Sequence, residues 1–543
     1  MDIPPPDESA ACSDAPRREE RLVAFLKSPS SYPDKPNAVH AIQTHISWVF
    51  ITSPFVYKLK KPVNLGFLDF TTLEQRHHFC RRELELNRRL CPEVYLDVVP
   101  IYECGSGFSF NANGAVAEYS VKMRELPHGY FLNELLAKGT AGETEINRVI
   151  SSLHRFYESE KPTPEIEEWG RPEKLKISTD ENFEQVKPFV GKTISRIAFE
   201  TIRHFTDQFY AANKTLFEKR IQQHRIRDCH GDLHLDHVHL TPEATTIFDC
   251  IEFNDRFRFI DVANDLAFLA MDFDFERQHR LGDLFLRNAA REFRDPGMLK
   301  VANFYKCYRA FVRGKVESIQ ALPGEAADRE EHASRAKRYF RLALRYATSG
   351  SDPLILAVMG RIGTGKSTVA KQLAGELDWP VFSSDVIRKT LAGVPLTART
   401  ASDSRAEIYS EDMSKQTYNK LLEQGLAALV MHSGVVLDAT FSSRAKRDLL
   451  RAECAKARAS LQVIELVSDT AEIAKRLKAR EGSATEISDA RLEDLEKLSG
   501  AYERPSELAP DLIEISTSGA VSDTIQAVLL RFAEKRAAAA ADV

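Results

Sequence analysis

The chain has 543 residues, and at about 150 residues per domain it holds roughly three to four folding units rather than one. With 43% hydrophobic and 28% charged residues, it is excluded from the globally disordered and fibrous classes. Its 79 acidic against 74 basic side chains, a net charge of -5, give no general pull toward nucleic acid or an anionic membrane surface.

The N-terminus, MDIPPPDESAACSDAPRREER, is Pro-rich and of mixed charge with no apolar core of a signal peptide. Residues 1–34 are therefore expected to be a disordered lead-in and the protein to be cytoplasmic. The longest apolar stretch, Pro353 to Gly360, is far short of the roughly 20 residues a spanning helix needs, so no membrane partner is expected. The cysteines are scattered without a C-x-x-C pair, which argues for buried thiols over a zinc site or a disulfide framework.

Short alternating segments come next: ISWVFI at 46–51, FVYKLK at 55–60, VVPI at 98–101 and VAEYSVKM at 116–123. They predict an antiparallel sheet. A helix opens at Thr71–Thr72 with Glu74 and Gln75 as capping-box partners, runs through Leu90 and stops at Cys91–Pro92. Beyond residue 130 the pattern is helical, broken by a loop-rich stretch at 226–265. Residues 35–346 thus read as a small β-rich lobe followed by a larger helical one. The small, Gly and Pro residues ATSGSDP at 347–353 mark the expected domain boundary.

After it, LILAVM (354–359), WPVF (379–382), VVLD (435–438), LQVIELV (461–467) and LIEIS (512–516) alternate with helical segments. Continuous apolar runs of this kind suit a parallel sheet buried on both faces, so residues 354–535 are expected to be an α/β doubly wound domain. The Ala-rich residues 536–543 are expected to fray.

The sharpest motif is GRIGTGKST at 360–368, a G-x-x-x-x-G-K-[ST] phosphate loop between a predicted strand and a helix carrying Val369, Leu373 and Leu377. Gly360, Gly363, Thr364, Gly365 and Thr368 build the loop whose backbone N–H groups converge on phosphate oxygens. Lys366 would reach the β/γ-phosphates of ATP and Ser367 would hold Mg²⁺. At the carboxyl edge of the next strand, Asp385 can take the proton of a substrate hydroxyl and Arg388 can grip an anionic group. The third strand closes with Asp438, a second Mg²⁺ candidate, and Thr440 and Arg444 are expected at the same edge as substrate contacts. These residues resemble the P-loop kinase group of polynucleotide 5′-hydroxyl, gluconate and shikimate kinases and zeta-toxin-like enzymes. That resemblance implies an arginine-bearing lid over ATP, for which Arg476 and Arg480 are the candidates.

In the first half, HGDLHLDHVHL (230–240) and TIFDCIEFN (246–254) place two aspartates on either side of a plausible hairpin. This resembles the aminoglycoside phosphotransferase branch of the protein-kinase-like fold. The resemblance implies an α+β two-lobed domain with Asp232 as catalytic base, Asp249 on Mg²⁺, His230 structural and Asp265 bracing the loop. It also implies a lysine–glutamate pair on ATP, Lys58 with Glu83, with Lys60 as the alternative, and a lobe-connecting hinge at VKMREL, 121–126. Two departures stand out. No G-x-G-x-x-G covers the phosphates, and His237 occupies the position of the family's metal-binding asparagine. An imidazole is a poor ligand for Mg²⁺, and neighbouring Asp236 is the available substitute.

The expected function is an ATP-dependent phosphotransferase with two modules, each passing a γ-phosphoryl group to a hydroxyl acceptor, with ATP and Mg²⁺ as cofactors. The competing expectations are a P-loop kinase regulated by a ligand-sensing pseudokinase, and a nucleotide hydrolase without an acceptor. Nucleic acid enters only as an acceptor of the P-loop half.

Overall fold

The computed structural model describes residues 11–540, apart from 106, 323–325, 399–401, 481–486 and 510–511. It falls into two compact units: Met1–Arg171 with Lys219–Phe273 and Leu284–Pro296, and Pro172–Glu218 with Asp274–Asp283 and Gly297–Val543.

The first unit opens with the helix Ala11–Lys27, which corrects the expectation of a disordered lead-in for the part described. Leu22, Val23 and Leu26 recur at helical spacing and pack with Phe50, Tyr57 and Leu59 of the sheet behind. Leu26 has no exposed surface. Burial of this stripe outweighs the polar, Pro-rich composition around it. The sheet has six strands: β1 (His40–Gln43), β2 (Ser47–Ile51), β3 (Phe55–Lys60), β4 (Tyr95–Cys104), β5 (Gly107–Ser109) and β6 (Ala115–Arg124). Their order is β1-β2-β3-β6-β4-β5, with antiparallel pairing throughout. The helix Leu73–Asn87 packs on it, opened by the expected capping box: the Gln75 N–H donates to Thr72 Oγ1 at 3.2 Å and the Thr72 N–H to Gln75 Oε1 at 3.4 Å. Further along, β7 (Ile226–Asp228) pairs with β10 (Phe259–Asp261), and β8 (Val238–Leu240) forms the expected hairpin with β9 (Thr245–Ile247).

The second unit is built on β11 (Leu354–Gly360), β12 (Val381–Ser383), β13 (Gly434–Asp438), β14 (Ser460–Val467) and β15 (Ile513–Ser516). The order is β12-β13-β11-β14-β15, all parallel, so β11 lies at the centre. Every residue of β11 and β13 is buried, which explains the unbroken apolar runs in sequence.

The boundary expected at 347–353 is not where the chain divides. Ala347 is fully buried and belongs to the helix Ala326–Thr348. The helix Arg196–Ala212, expected with the first domain, is bound to elements of the second: Asn213 Nδ2 donates to the Ala537 carbonyl at 2.9 Å and Gln526 Nε2 to Thr201 Oγ1 at 3.1 Å. Ser195 Oγ donates to Glu376 Oε2 at 2.7 Å. The expected fraying after Lys535 is corrected too, because the helix Val521–Ala539 carries buried Ala537. An Ala-rich segment has high helix propensity and needs only one apolar face to dock. No helix among the described residues is long and apolar enough to cross a membrane.

Candidate active sites

In the second unit the phosphate loop follows β11 directly. Gly360 has φ of 140°, and a Cβ there would sit 2.4 Å from the Leu466 carbonyl oxygen. Gly363 has φ of 73° and no room beside Ile473, where a Cβ would lie at 2.8 Å. Both positions therefore demand glycine on sterics and on backbone conformation. Gly365, at φ of 89°, caps the helix Lys366–Leu377, whose N-terminal N–H groups and dipole make an anion seat. Thr364 is fixed on both sides: its hydroxyl donates to the Arg361 carbonyl at 2.9 Å, and its own carbonyl accepts from Thr517 Oγ1 at 3.0 Å.

Lys366 Nζ donates to the Arg361 carbonyl of its own loop at 2.8 Å. Burial lowers its pKa, against the pull of Asp438 and Asp385, so both carboxylates lie close enough to act on the ammonium. Asp438, at the end of β13, is buried, and burial raises its pKa even though Lys366 and the Ser367 and Ser383 hydroxyls favour its charged form. Its hard oxygen, beside the Ser367 hydroxyl, fits Mg²⁺. Asp385 lies in the first turn of the helix Ser384–Leu391. Lys366, Ser367, Asp385 and Asp438 thus converge at the carboxyl edge of the sheet. Thr368 follows in the first turn of the phosphate-loop helix and is exposed.

The outer candidates fare unevenly. Arg388 is buried; Nη1 donates to the Ile408 carbonyl at 3.1 Å and to Ser414 Oγ at 3.3 Å, while Nε has no hydrogen-bond partner among the described residues. Thr440 Oγ1 is 3.1 Å from Tyr418 Oη at the strand end. Arg444, expected as a substrate contact, has a side chain 68% exposed and 3.6 Å from Asp448 one turn along its own helix. Arg444 is the first residue of the helix Arg444–Lys456, so its side chain runs outward along it. Lys446, which the sequence reading missed, lies over the Tyr418 ring at 4.9 Å and feels the charge of Arg388. Its only signal was a place two residues further into a basic run.

Arg476 is held against the phosphate loop. Its Nε donates to Glu472 Oε1 at 3.0 Å and its Nη1 to Thr517 Oγ1 at 3.0 Å, and a Cβ at Gly365 would lie 3.7 Å from that Nη1. Arg480 is near enough to depress the Lys366 pKa. Residues 481–486 of the expected lid lie outside the described residues.

In the first unit, Lys58 and Lys60 share one face of β3, as period-two alternation requires. Both reach Glu83: Lys58 Nζ lies 2.9 Å from Oε1 and Lys60 Nζ 2.8 Å from Oε2. Burial alone would raise the Glu83 pKa, but the two ammonium groups bring it below the usual carboxylate range. Lys60 also pairs with buried Glu252, whereas Lys58 Nζ reaches Asp249 Oδ1 at 2.5 Å. Lys58 is therefore the lysine that touches the expected metal residue, and Lys60 is a buried strut. Asp249 has φ of 63°, a left-handed conformation that aspartate tolerates, and its N–H donates to Tyr95 Oη at 3.2 Å.

Asp265 binds the backbone of the HGD loop: the His230 N–H donates to Oδ2 at 2.8 Å and the Gly231 N–H to Oδ1 at 3.0 Å, with Tyr157 Oη on Oδ2 at 2.7 Å. His230 Nε2 donates to the Phe248 carbonyl at 2.8 Å, while Nδ1 accepts the Asp232 N–H at 3.2 Å. Asp265→Ala strands these buried donors, so a loss of about 2–4 kcal/mol is expected from the denaturation midpoint. A loss below about 0.5 kcal/mol would mean the loop holds itself.

Around Asp232 lie two imidazoles. His234 Nε2 is 3.5 Å and His237 Nδ1 is 3.7 Å from Asp232 Oδ2. The three residues offer ligand atoms that all lie within 4.8 Å of one another. His237 Nδ1 is 2.9 Å from the Asp232 carbonyl, which fixes its proton there and turns the bare Nε2 toward Asp249 Oδ2 at 3.6 Å. Burial holds the His237 pKa down at about 4, so the ring is neutral. Oxygen from Asp249 fits Mg²⁺, but nitrogen from His237 does not. Asp236, the expected substitute, is exposed and bound to Asn133.

Residues 134–302 match the model of the Phosphotransferase enzyme family and residues 355–505 match the AAA domain model. The uncharacterized proteins Rv2004c of Mycobacterium tuberculosis and Mb2027c of Mycobacterium bovis are each 30% identical over 444 residues, covering 81% of this chain and 86% of theirs. Among solved structures, a gluconokinase from Sinorhizobium meliloti is 21% identical with a TM-score of 0.25, covering 34% of this chain and 95% of its own. The Mycobacterium tuberculosis APS kinase CysC is also 21% identical with a TM-score of 0.25, covering 33% of this chain and 98% of its own.

Proposed function

This chain belongs to the family of the mycobacterial protein Rv2004c, and on that premise we propose that its P-loop module transfers the γ-phosphoryl group of ATP to a hydroxyl acceptor poised at Asp385. It is an ATP-dependent phosphotransferase that joins an aminoglycoside phosphotransferase-like module to a P-loop kinase module. The observation that carries the finer reading is the convergence of Lys366, Ser367, Asp438 and Asp385 at one sheet edge. A pure nucleotide hydrolase has no need of a hydroxyl-facing acid. Asp385 takes the acceptor's proton, Lys366 and the loop N–H groups hold the phosphates, and Arg476 and Arg480 add positive charge where the γ-group develops its own. Ser367 and Asp438 are the residues that would hold Mg²⁺, which when bound neutralises phosphate charge. A screen with labelled ATP against sugars, nucleosides, 5′-hydroxyl oligonucleotides and aminoglycosides tests the reading. Rapid ATP turnover with no labelled acceptor would favour the hydrolase instead.

The first module is read as a second phosphotransferase site, with Lys58 on the nucleotide and Asp232 as base. A specific observation favours a ligand-sensing pseudokinase there: the His237 imidazole faces Asp249 where an oxygen ligand is needed. The two separate by calorimetry on the full chain with the P-loop silenced by Lys366→Ala. If the module is a sensor, wild type binds ATP without help from Mg²⁺, and His237→Asn strengthens Mg²⁺-dependent binding about tenfold, roughly 1.4 kcal/mol. Tight Mg²⁺-dependent binding by wild type, lost in Asp249→Ala, restores two working kinases.

A further inference from the structure

Away from both sites, the second unit contains a cleft of about 240 Å³ lined by cations: Arg277, Arg338, Arg341 and Arg345, with His279 and His432 beside them. The acids in its wall are Asp274 and Asp378. Its place in the fold separates it from the phosphate loop. Leu377 and Asp378 end the helix whose first residue is Lys366, and a helix of 12 residues is about 18 Å long. Ser433 precedes β13, whose other end carries Asp438. The cleft therefore lies at the amino edge of the sheet, opposite the catalytic edge.

Its charge is not balanced from within. Asp274 is buried, and its oxygens are already engaged by Lys306 Nζ at 2.5 Å, by His279 Nδ1 at 2.9 Å and by the Tyr346 hydroxyl. Arg345 must share that same carboxylate. Its Nη2 stands 3.4 Å from Asp274 Oδ2, outside hydrogen-bond geometry, and among the described residues neither Nε nor Nη2 has a hydrogen-bond partner. Arg345 is only 5% exposed. A guanidinium withdrawn from water with two unmade hydrogen bonds is costly, and an anion in the cleft beside it would offset its charge. At the rim, Arg341 Nη1 is 3.6 Å from Asp378 on a side chain 45% exposed, and Arg338 lies 4.0 Å over the Phe275 ring. Phe275, Leu342, Leu377 and Met431 give the same cleft an apolar wall.

We infer that this cleft binds a phosphate-bearing small molecule, its anionic group held by Arg345 and Arg341 and its organic part laid on the apolar wall. Guanidinium forks match phosphate oxygens in geometry as well as charge. A ligand there touches the far end of the phosphate-loop helix, so its occupancy and that of the ATP site are mechanically adjacent without sharing residues.

The test uses the full chain, with inorganic phosphate, pyrophosphate and ADP as probes in the absence of Mg²⁺, read by thermal midpoint and calorimetry. Pyrophosphate should raise the midpoint of wild type and of Lys366→Ala, whose phosphate loop is disabled. Arg341→Glu should weaken that binding at least tenfold while leaving Mg²⁺·ATP binding unchanged. Because Arg345→Gln sits on a buried network and can lower stability by itself, the half-exposed Arg341 carries the decision. In the Lys366→Ala background, ADP binding that is much tighter than pyrophosphate and is lost on adding Arg341→Glu identifies an organic phosphate at this cleft, and equal Arg341-dependent affinities identify the free anion. Absence of any anion response in Lys366→Ala, or an undiminished response in Arg341→Glu, overturns the site. Either result leaves the reading of the P-loop as kinase untouched, since that reading stands on Mg²⁺·ATP binding and transfer.

Discussion

Lys366→Ala is expected to cut phosphoryl transfer by the P-loop module by orders of magnitude while the protein stays folded. The lysine is half-buried at the helix N-terminus, and its Nζ donates to the carbonyl of Arg361 in the same loop. It is not among the buried core residues, so the denaturation midpoint should move by less than about 0.5 kcal/mol. Transfer is different. Asp438 and Asp385 act electrostatically on Lys366, and on the proposed reading Lys366 is a cation that offsets them beside the phosphates. Its loss leaves the developing charge on the γ-phosphoryl oxygens facing acids, and a reduction of about 3–4 kcal/mol in transition-state stabilisation is expected, or 10²–10³-fold in rate. Steady-state kinetics with whichever acceptor the screen identifies reads it. The loss should fall on kcat as well as on ATP affinity, because the contact tightens as the phosphoryl group moves. A folded mutant with unchanged kcat would place the chemistry elsewhere.

The P-loop module was legible because its signals are local. A glycine loop between a buried strand and a helix is written in consecutive residues, and buried parallel strands announce themselves as apolar runs. Asp438, the last residue of β13, and Asp385, two residues past the end of β12, are readable as edge residues for the same reason. Distance in sequence from a strand end says nothing about side-chain direction: Arg444 lies exposed beside Asp448, whereas two residues on Lys446 lies over the Tyr418 ring. In the first unit the choice between Lys58 and Lys60 could not be made from alternation, since both occupy one face. Only the long-range contacts, Asp249 for one and Glu252 for the other, tell them apart. The N-terminal helix escaped because its apolar stripe is short and embedded in charge, and its partner, the face of β2 and β3, lies beyond any local window.

The chain should not be separable at residues 347–353, contrary to what its composition suggests. Cutting there leaves Thr201, Asn213 and Ser195 on one fragment and their partners Gln526, Ala537 and Glu376 on the other. Lys306, whose ammonium is buried, would lose its 3.0 Å bond to Ser351. The apolar faces go with them: Ile202, Phe205 and Phe209 are at most 2% exposed in the whole chain, as are Ile525, Val528 and Leu529 on the other side of the cut. Exposing side chains of this size costs about 1.5–3 kcal/mol each, so a handful of them matches the whole stability of an ordinary domain. Residues 1–346 expressed alone should aggregate or show a broad, non-cooperative melt, whereas the full chain carries its second unit as one cooperative block. Because that block takes residues 172–218, 274–283 and 297–543, no single cut isolates it. Size-exclusion chromatography and far-UV melting of the two fragments, separately and mixed, decide the matter. Soluble fragments with sharp independent transitions would show that the helix Arg196–Ala212 folds without the P-loop module. Recovery of a single sharp transition only on mixing would show that the interface is what completes both.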